Sequence, residues 1–159
     1  MSAIKKKIKP AVENRRAKFN YIIEEVIEAG IVLNGQEIRS IRKGKISLDN
    51  SYAAEKDDSI WIYNTYINIE KNNTLSKDET NPLRPRKLLL KKKEINKLKT
   101  KLNNNGFTLI PLNIHYNKKG FAKVDIGISK GRKKEDKREY KKEQDWKREK
   151  DRLISKNIK

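Results

Sequence analysis

Hydrophobic and polar residues alternate most regularly between residues 107 and 131. The alternation has seven apolar members in two runs, namely Ile110, Leu112, Ile114 and Tyr116, then Val124, Ile126 and Ile128. The sequence Asn-Lys-Lys-Gly at 117–120 separates the runs. Period-two alternation on both sides of a turn predicts a β-hairpin with one buried face.

A second region, residues 46–69, also has the pattern of strands. It predicts strands over 46–55 and 59–69, joined at the polar residues 56–58. In the second strand one face would carry Trp61, Tyr63, Thr65, Ile67 and Ile69, and the other Ile60 and Ile62. Residues 70–85 are polar and contain two prolines, which indicates a loop.

Helical spacing appears in three places. Residues 35–45 predict a short helix between two glycines, and residues 92–105 predict a cationic helix that ends at Asn105-Gly106. Residues 21–33 are ambiguous, because their apolar spacing fits a helix while their β-branched residues favour a strand. Several short strands with one or two helices suggest a small antiparallel barrel.

The charge of the chain indicates a polyanionic partner. The chain has 159 residues and a net charge of +19, and 38% of its residues are charged against 35% hydrophobic. Residues 82–101 carry nine Lys or Arg and one acidic residue, residues 130–159 carry fourteen and seven, and residues 19–81 are mildly acidic. Such separate basic blocks indicate contact with nucleic acid. An acidic membrane surface is the alternative, but no apolar run could span a bilayer.

The residues that catalysis would need are scarce. The chain has no cysteine, one histidine (His115) and no glycine-rich nucleotide-binding motif. His115 lies on the polar phase of the hairpin without a nucleophile-elbow motif, so we expect an exposed or packing role. We therefore predict no enzymatic activity, no cofactor and no metal. With no signal peptide in evidence, a cytoplasmic protein is expected.

Two cationic segments are the candidate RNA contacts. In the first, prolines and leucines are interleaved with basic residues expected to meet phosphate, namely Arg84, Arg86, Lys87 and Lys91. In the tail, cations surround Tyr140 and Trp146, a combination that suits an RNA with stackable bases. Glu24, Glu25 and Glu28 are either a solvated face, or acceptors for base edges or ribose, or partners of an Arg.

Taken together, these segments resemble the small protein B family, the SsrA-binding proteins of bacterial ribosome rescue. The matching stretches are NRRAKFNYIIEEVIEAGIVLNGQEIRSIRKGK (14–45), SLDNSYA (47–53), RPRKLLL (84–90), GFTLIPLNIHY (106–116) and KVDIGISKGRKKEDKRE (123–139). The resemblance implies an oligonucleotide-binding (OB) fold, mainly β with flanking helices, and a strand at 21–33. Its domains would be a disordered lead (1–13), a barrel (14–129) and a basic tail (130–159), unstructured when free and helical on the ribosome.

The resemblance also implies the function and the site. Family members bind the tRNA-like end of transfer-messenger RNA (tmRNA). They bring it, alanyl-charged and with elongation factor Tu, into the A site of a stalled ribosome, where the tail enters the empty mRNA channel of the small subunit. The implied tmRNA contacts are Asn14, Arg15, Arg16, Glu28, Leu89 and Lys123. The predicted ribosome contacts, at the decoding centre and 16S rRNA, are Phe19, Lys130, Gly131, Arg132, Lys133, Lys134, Asp136, Lys137, Arg138, Tyr140, Trp146 and Ile154.

Three other interpretations share part of this pattern. A structural ribosomal protein would have the same basicity, barrel and loose tail, and another OB-fold tRNA-binding module would have the same cationic face. An RNA-modifying or RNA-cleaving enzyme would need a base near His115. We expect a monomer that does not bind membranes.

Overall fold

The computed structural model describes residues 11–70, 76–104 and 106–157, and its core is an antiparallel barrel. Within these residues the strands are β1 (Val12–Glu13), β2 (Tyr21–Ile31), β3 (Ile46–Ser47), β4 (Tyr52–Lys56), β5 (Ser59–Tyr63), β6 (Tyr66–Ile67), β7 (Arg86–Leu89), β8 (Phe107–Tyr116) and β9 (Ala122–Gly131). The helices are α1 (Ala17–Asn20), α2 (Gly35–Arg42), α3 (Lys92–Asn103) and α4 (Lys134–Asn157).

The strand pairings close on themselves. The sheet runs in the order β8, β4, β5, β7, β2 and β9, and β9 also pairs with β8. Every pairing is antiparallel, β1 is added outside β8, and β3 and β6 form a separate two-stranded sheet. Because closure leaves no edge between the six barrel strands, the predicted mainly β, OB-type fold is confirmed.

Both ends of the predicted barrel shift by a few residues. Most of the predicted disordered lead, residues 1–10, lies outside the described residues, but Val12 and Glu13 pair with Ile114 and Asn113 of β8. At the other end, Lys130 and Gly131 remain paired with Ile22 and Tyr21 of β2. In both cases backbone hydrogen bonds to a distant strand extend the ordered barrel.

Residues 21–31 form a strand, which confirms what the family resemblance implied and resolves the ambiguity of the local pattern. Tyr21–Ile31 pairs with nearly the whole of β9 and, at its end, with β7. Helical apolar spacing cannot predict this, because the partners that satisfy the backbone of β2 lie far away in the chain. The β-branched residues fit the pleated surface of the sheet.

Two of the predicted strand faces change phase within the strand. Asn64 has a left-handed backbone (φ 60°) that separates β5 from β6, so Ile60 and Ile62 are as buried as Ile67. The prediction that these residues lie on opposite faces was therefore wrong.

In β8 the register with β9 shifts between Pro111 and Asn113. This bulge brings Leu109, rather than Leu112, into the same core as Ile114. The predicted hairpin is confirmed, but its alternation does not continue unbroken along β8.

Helices α2 and α3, both predicted from the sequence, pack against the core of the barrel. Asn34 and Glu37 form a reciprocal capping box at the start of α2. In α3, Leu98 is fully buried, and Ile95 and Leu102 pack partly against the core. None of the helices in the described ranges is long and apolar enough to cross a bilayer.

Gly127 lies at a tightly packed position of β9, and its substitution gives a first test of the fold. A Cβ at this position would lie 3.2 Å from Ile23 Cγ2 and 3.3 Å from Leu112 Cδ1. We expect Gly127→Val to lower the free energy of unfolding by about 1–3 kcal/mol through overpacking, measured by urea denaturation. Gly35→Val, at an open position, is the sterically matched control; equal stability of the two variants would contradict the packing.

Candidate nucleic-acid interface

One open groove of about 530 Å³ brings together half of the predicted tmRNA contacts. It lies across β7, β2 and β9, and is called the β2 groove below. Gly30 is its centre, because this residue is directly paired with Leu89 on one side and with Lys123 on the other. The predicted contacts that line the groove are Glu28, Lys87, Leu89, Lys91 and Lys123.

The β2 groove depends on the missing side chain at Gly30. A Cβ there would lie 3.2 Å from Leu89 Cβ and would obstruct the space between Leu89 and Lys123. Leu89 is 56% exposed, which is unusual for a leucine in a barrel strand. An exposed apolar side chain between cations and a carboxylate offers contacts to a base or ribose, to phosphate and to base amino groups.

A second cleft, of about 440 Å³, receives other predicted residues. Asn14 and Arg16 line it together with Asn20, Asn50 and Tyr52, which the sequence analysis did not single out. Asn50 and Tyr52 lie in the matching stretch at 47–53, and Asn20 lies in the stretch at 14–45. Asn14 Nδ2 donates to the Pro111 carbonyl at 3.1 Å, which fixes the start of the cleft. The predicted tmRNA patch is thus divided between two surfaces, and Arg15 is exposed beside the second.

Arg86 is corrected from an RNA contact to a core residue. Its side chain is fully buried, forms an ion pair with the fully buried Glu37, and donates to the Thr65 carbonyl at 2.6 Å. Burial lowers the pKa of the Arg86 guanidinium, and the Glu37 carboxylate opposes this shift. Arg84, 27% exposed, also pairs with Glu37, so it too is held on the protein. The neighbouring Pro85 and cations suggested that Arg86 is exposed. Its acidic partner Glu37 lies in α2, and this partner allows Arg86 to be buried.

The first residues of the predicted tail belong to the barrel edge. Lys130 Nζ lies 4.5 Å from the centre of the Phe107 ring, and Arg132 donates to backbone carbonyls of Asn20 and Lys18. Gly131 pairs with Tyr21. These predicted ribosome contacts are therefore fixed relative to the β2 strand.

Helix α4 spans most of the tail, which the sequence predicts to be unstructured when free and helical on the ribosome. It is one helix of 24 residues in which no residue is buried. Strong helix formers and Glu–Lys pairs such as Glu143–Lys147 account for its helical local structure. Its start contacts α1, where Tyr140 and Phe19 have ring centres 6.4 Å apart and Arg132 lies over Tyr140 at 4.5 Å.

The remaining predicted tail contacts are distributed along exposed helix. Trp146 is 66% exposed and Ile154 is 49% exposed, although Lys150 approaches the Trp146 ring to 5.4 Å. The charged members are exposed or half-buried around the first turns, namely Lys133, Lys134, Asp136, Lys137 and Arg138. Exposed aromatic and apolar groups along a cationic helix are available to a partner surface.

Among the described residues, three side chains of metal-ligating type come together. Glu28, His115 and Asp125 have ligand atoms within 4.8 Å of one another. His115 Nδ1 is already hydrogen-bonded to Asn113 Oδ1 at 2.8 Å, and Asn113 Nδ2 donates to Asp125 at 3.0 Å. The cluster is therefore a hydrogen-bonded polar network at the edge of the β2 groove.

A closed antiparallel barrel with a cationic groove across its strands defines a protein of the oligonucleotide-binding class. The comparisons with known proteins narrow this class. The family model described as SmpB protein matches residues 11–156. The chain belongs to the SmpB protein family.

Relatives match along almost the whole chain. An SsrA-binding protein of Bradyrhizobium is 49% identical over 148 residues, covering 93% of each chain. The SsrA-binding protein of Ehrlichia canis is 47% identical over 146 residues, 92% of this chain and 97% of the relative. A chain from the solved structure described as "tmRNA-SmpB: a journey to the center of the bacterial ribosome" is 40% identical, covers 82% of this chain and 94% of its own, and has a TM-score of 0.64.

Proposed function

We propose that this protein binds the tRNA-like domain of tmRNA and delivers it to the A site of stalled ribosomes for trans-translation. The β2 groove, with its cations around an exposed leucine and a carboxylate, is the observation that carries the proposal. The names of the relatives, which are SsrA-binding proteins, support the same partner. The protein acts by binding, in the cytoplasm and as a monomer, and catalyses no reaction of its own.

The barrel surfaces and the tail have different roles in this proposal. The β2 groove and the cleft beside Asn14 and Arg16 hold the RNA, with Lys87, Lys91 and Lys123 on phosphate and Glu28 on a base edge or ribose. The tail reaches the mRNA channel of the small subunit and contacts 16S rRNA. Because mRNA in the channel would exclude the tail, only a ribosome with an empty channel accepts the complex. Elongation factor Tu accompanies the alanyl-charged tmRNA.

A salt-titrated binding measurement tests the proposal most directly. The protein should prefer the isolated tRNA-like domain of tmRNA over an elongator tRNA by at least about tenfold, or 1.4 kcal/mol. The preference should persist as salt weakens both affinities, since phosphate contacts are common to the two RNAs. Equal affinity for the two RNAs would refute the proposed function.

Lys123 should contribute a phosphate contact within the β2 groove. We expect Lys123→Ala to weaken binding of the tRNA-like domain and to reduce the slope of log affinity against log salt by about one. Lys150→Ala, which removes the same charge from the exposed part of α4, is the matched control. An unchanged slope in Lys123→Ala, or the same loss in both variants, would remove Lys123 from the interface.

A further inference from the structure

A row of polar residues crosses four neighbouring strands at the edge of the β2 groove. Glu13 of β1 is directly paired with Asn113 of β8, Asn113 with Asp125 of β9, and Asp125 with Glu28 of β2. Directly paired residues point to the same face of a sheet. Three carboxylates and one amide therefore lie side by side in a chain whose net charge is +19.

His115 lies in the next row of paired residues, between the polar row and the β2 groove. It is paired with Lys123, and Lys123 is paired with Gly30 at the groove centre. The residue is 8% exposed, so its ring nitrogens depend on protein partners for hydrogen bonds. The charged residues on the neighbouring strands are Glu13 from β1, Glu28 from β2, and Lys123 and Asp125 from β9.

The network determines which atom of His115 carries a proton. Asn113 Nδ2 donates to Asp125 Oδ2 at 3.0 Å, which turns Asn113 Oδ1 towards His115 Nδ1, 2.8 Å away. A carbonyl oxygen can only accept, so Nδ1 is the donor. The other nitrogen, Nε2, lies 3.4 Å from Glu28 Oε2.

The contact with Glu28 therefore changes with the charge of His115. When both nitrogens are protonated, Nε2 can donate to the Glu28 carboxylate while Nδ1 donates to Asn113. When the ring is neutral, Asn113 keeps the proton on Nδ1, and the Nε2 lone pair faces a carboxylate. That arrangement is repulsive, and Glu28, whose side chain is 55% exposed, has space to turn away.

We propose that His115 is a positioning residue for Glu28, and that its protonation strengthens RNA binding in the β2 groove. The inference deepens the proposed function, because it assumes that Glu28 contacts the RNA. Charged His115 holds the carboxylate beside Lys123 and Leu89. Neutral His115 releases Glu28.

Binding of the tRNA-like domain should therefore be about three- to tenfold stronger at pH 6 than at pH 8. His115 is the only histidine in the chain. In His115→Gln the amide can donate to Glu28 at every pH, so its affinity should match the acidic wild type and no longer vary with pH. His115→Phe should match the wild type at pH 8 and lose the gain at pH 6.

Glu28→Gln provides the matched test of the pair. It should abolish the pH dependence, and Glu28→Gln combined with His115→Phe should bind no more weakly than Glu28→Gln alone, because both changes remove one interaction. An additive loss in the double variant, or a wild-type affinity that is constant between pH 6 and 8, would overturn the proposal.

A measurement without RNA separates this inference from the proposed function. Nitrogen NMR of the single imidazole in the full-length protein should show the neutral ring protonated on Nδ1, and Asp125→Ala should relax this preference by releasing the Asn113 amide. A neutral ring protonated on Nε2 would overturn the network. If the network is observed but the protein does not prefer tmRNA, it is the proposed function that fails.

Discussion

Truncation after Lys133 is expected to reduce tagging of nascent chains on stalled ribosomes at least about tenfold, while tmRNA binding stays within about twofold of the full-length protein. The reason is the separation seen in the structure. No residue of α4 is buried, whereas the β2 groove is lined by residues of the barrel and of the start of α3. A reconstituted translation assay with a truncated mRNA measures tagging, and filter binding measures affinity.

The position of the cut decides whether this experiment is informative. A cut before Lys130, where the sequence places the start of the tail, would remove residues that pair with Ile22 and Tyr21. It would also remove the bonds of Arg132 to the α1 region. Loss of barrel stability could then be mistaken for loss of tail function, and a cut after Lys133 avoids this.

A tail of the same composition in scrambled order is the control for charge. It keeps the electrostatic attraction to RNA but displaces Tyr140, Trp146 and Ile154 from their positions. We expect it to tag as poorly as the truncation. Equal loss of tmRNA binding and tagging in the truncated protein would disprove the division between barrel and tail.

Glu37→Ala should lower the free energy of unfolding by about 3–5 kcal/mol. This is a larger effect than the one expected for Gly127→Val. Glu37→Ala leaves the buried Arg86 guanidinium without its carboxylate partner, removes the partner of Arg84, and breaks the capping box of α2. For a chain of this length the melting temperature should fall by on the order of 10 °C. Thermal unfolding followed by circular dichroism measures the change.

Glu70→Ala is the control, because it removes an exposed ion pair rather than a buried one. It breaks an exposed pair with Lys43 at 3.4 Å, which should change stability by less than about 1 kcal/mol. Well below its melting temperature, Glu37→Ala should bind tmRNA normally, because Arg86 faces the core rather than the RNA. A stable Glu37→Ala protein with weakened RNA binding would restore Arg86 as an RNA contact.

The candidate site has parts that the sequence could predict and parts that it could not. The resemblance to known motifs identified Glu28, Leu89 and Lys123, and strand pairing then brought all three around Gly30. Charge alone misassigned Arg86, because a basic run is normally solvated and its acidic partner lies 49 residues earlier. His115 and Glu28 are separated by 87 positions along the chain, so their contact could not be inferred from either local pattern.

The sequence by itself determined the features that depend on neighbouring residues. These include the turn at 117–120 and its hairpin, the apolar stripes of α2 and α3, the division of charge into blocks, and the family. The tertiary structure alone decided where β8 shifts its phase, which arginine is buried, and how His115 contacts Glu28, and it confirmed the strand at 21–31 that only the family resemblance had implied. In each of these cases the deciding hydrogen bond or burial involves a residue of another segment. Local apolar spacing therefore cannot predict it.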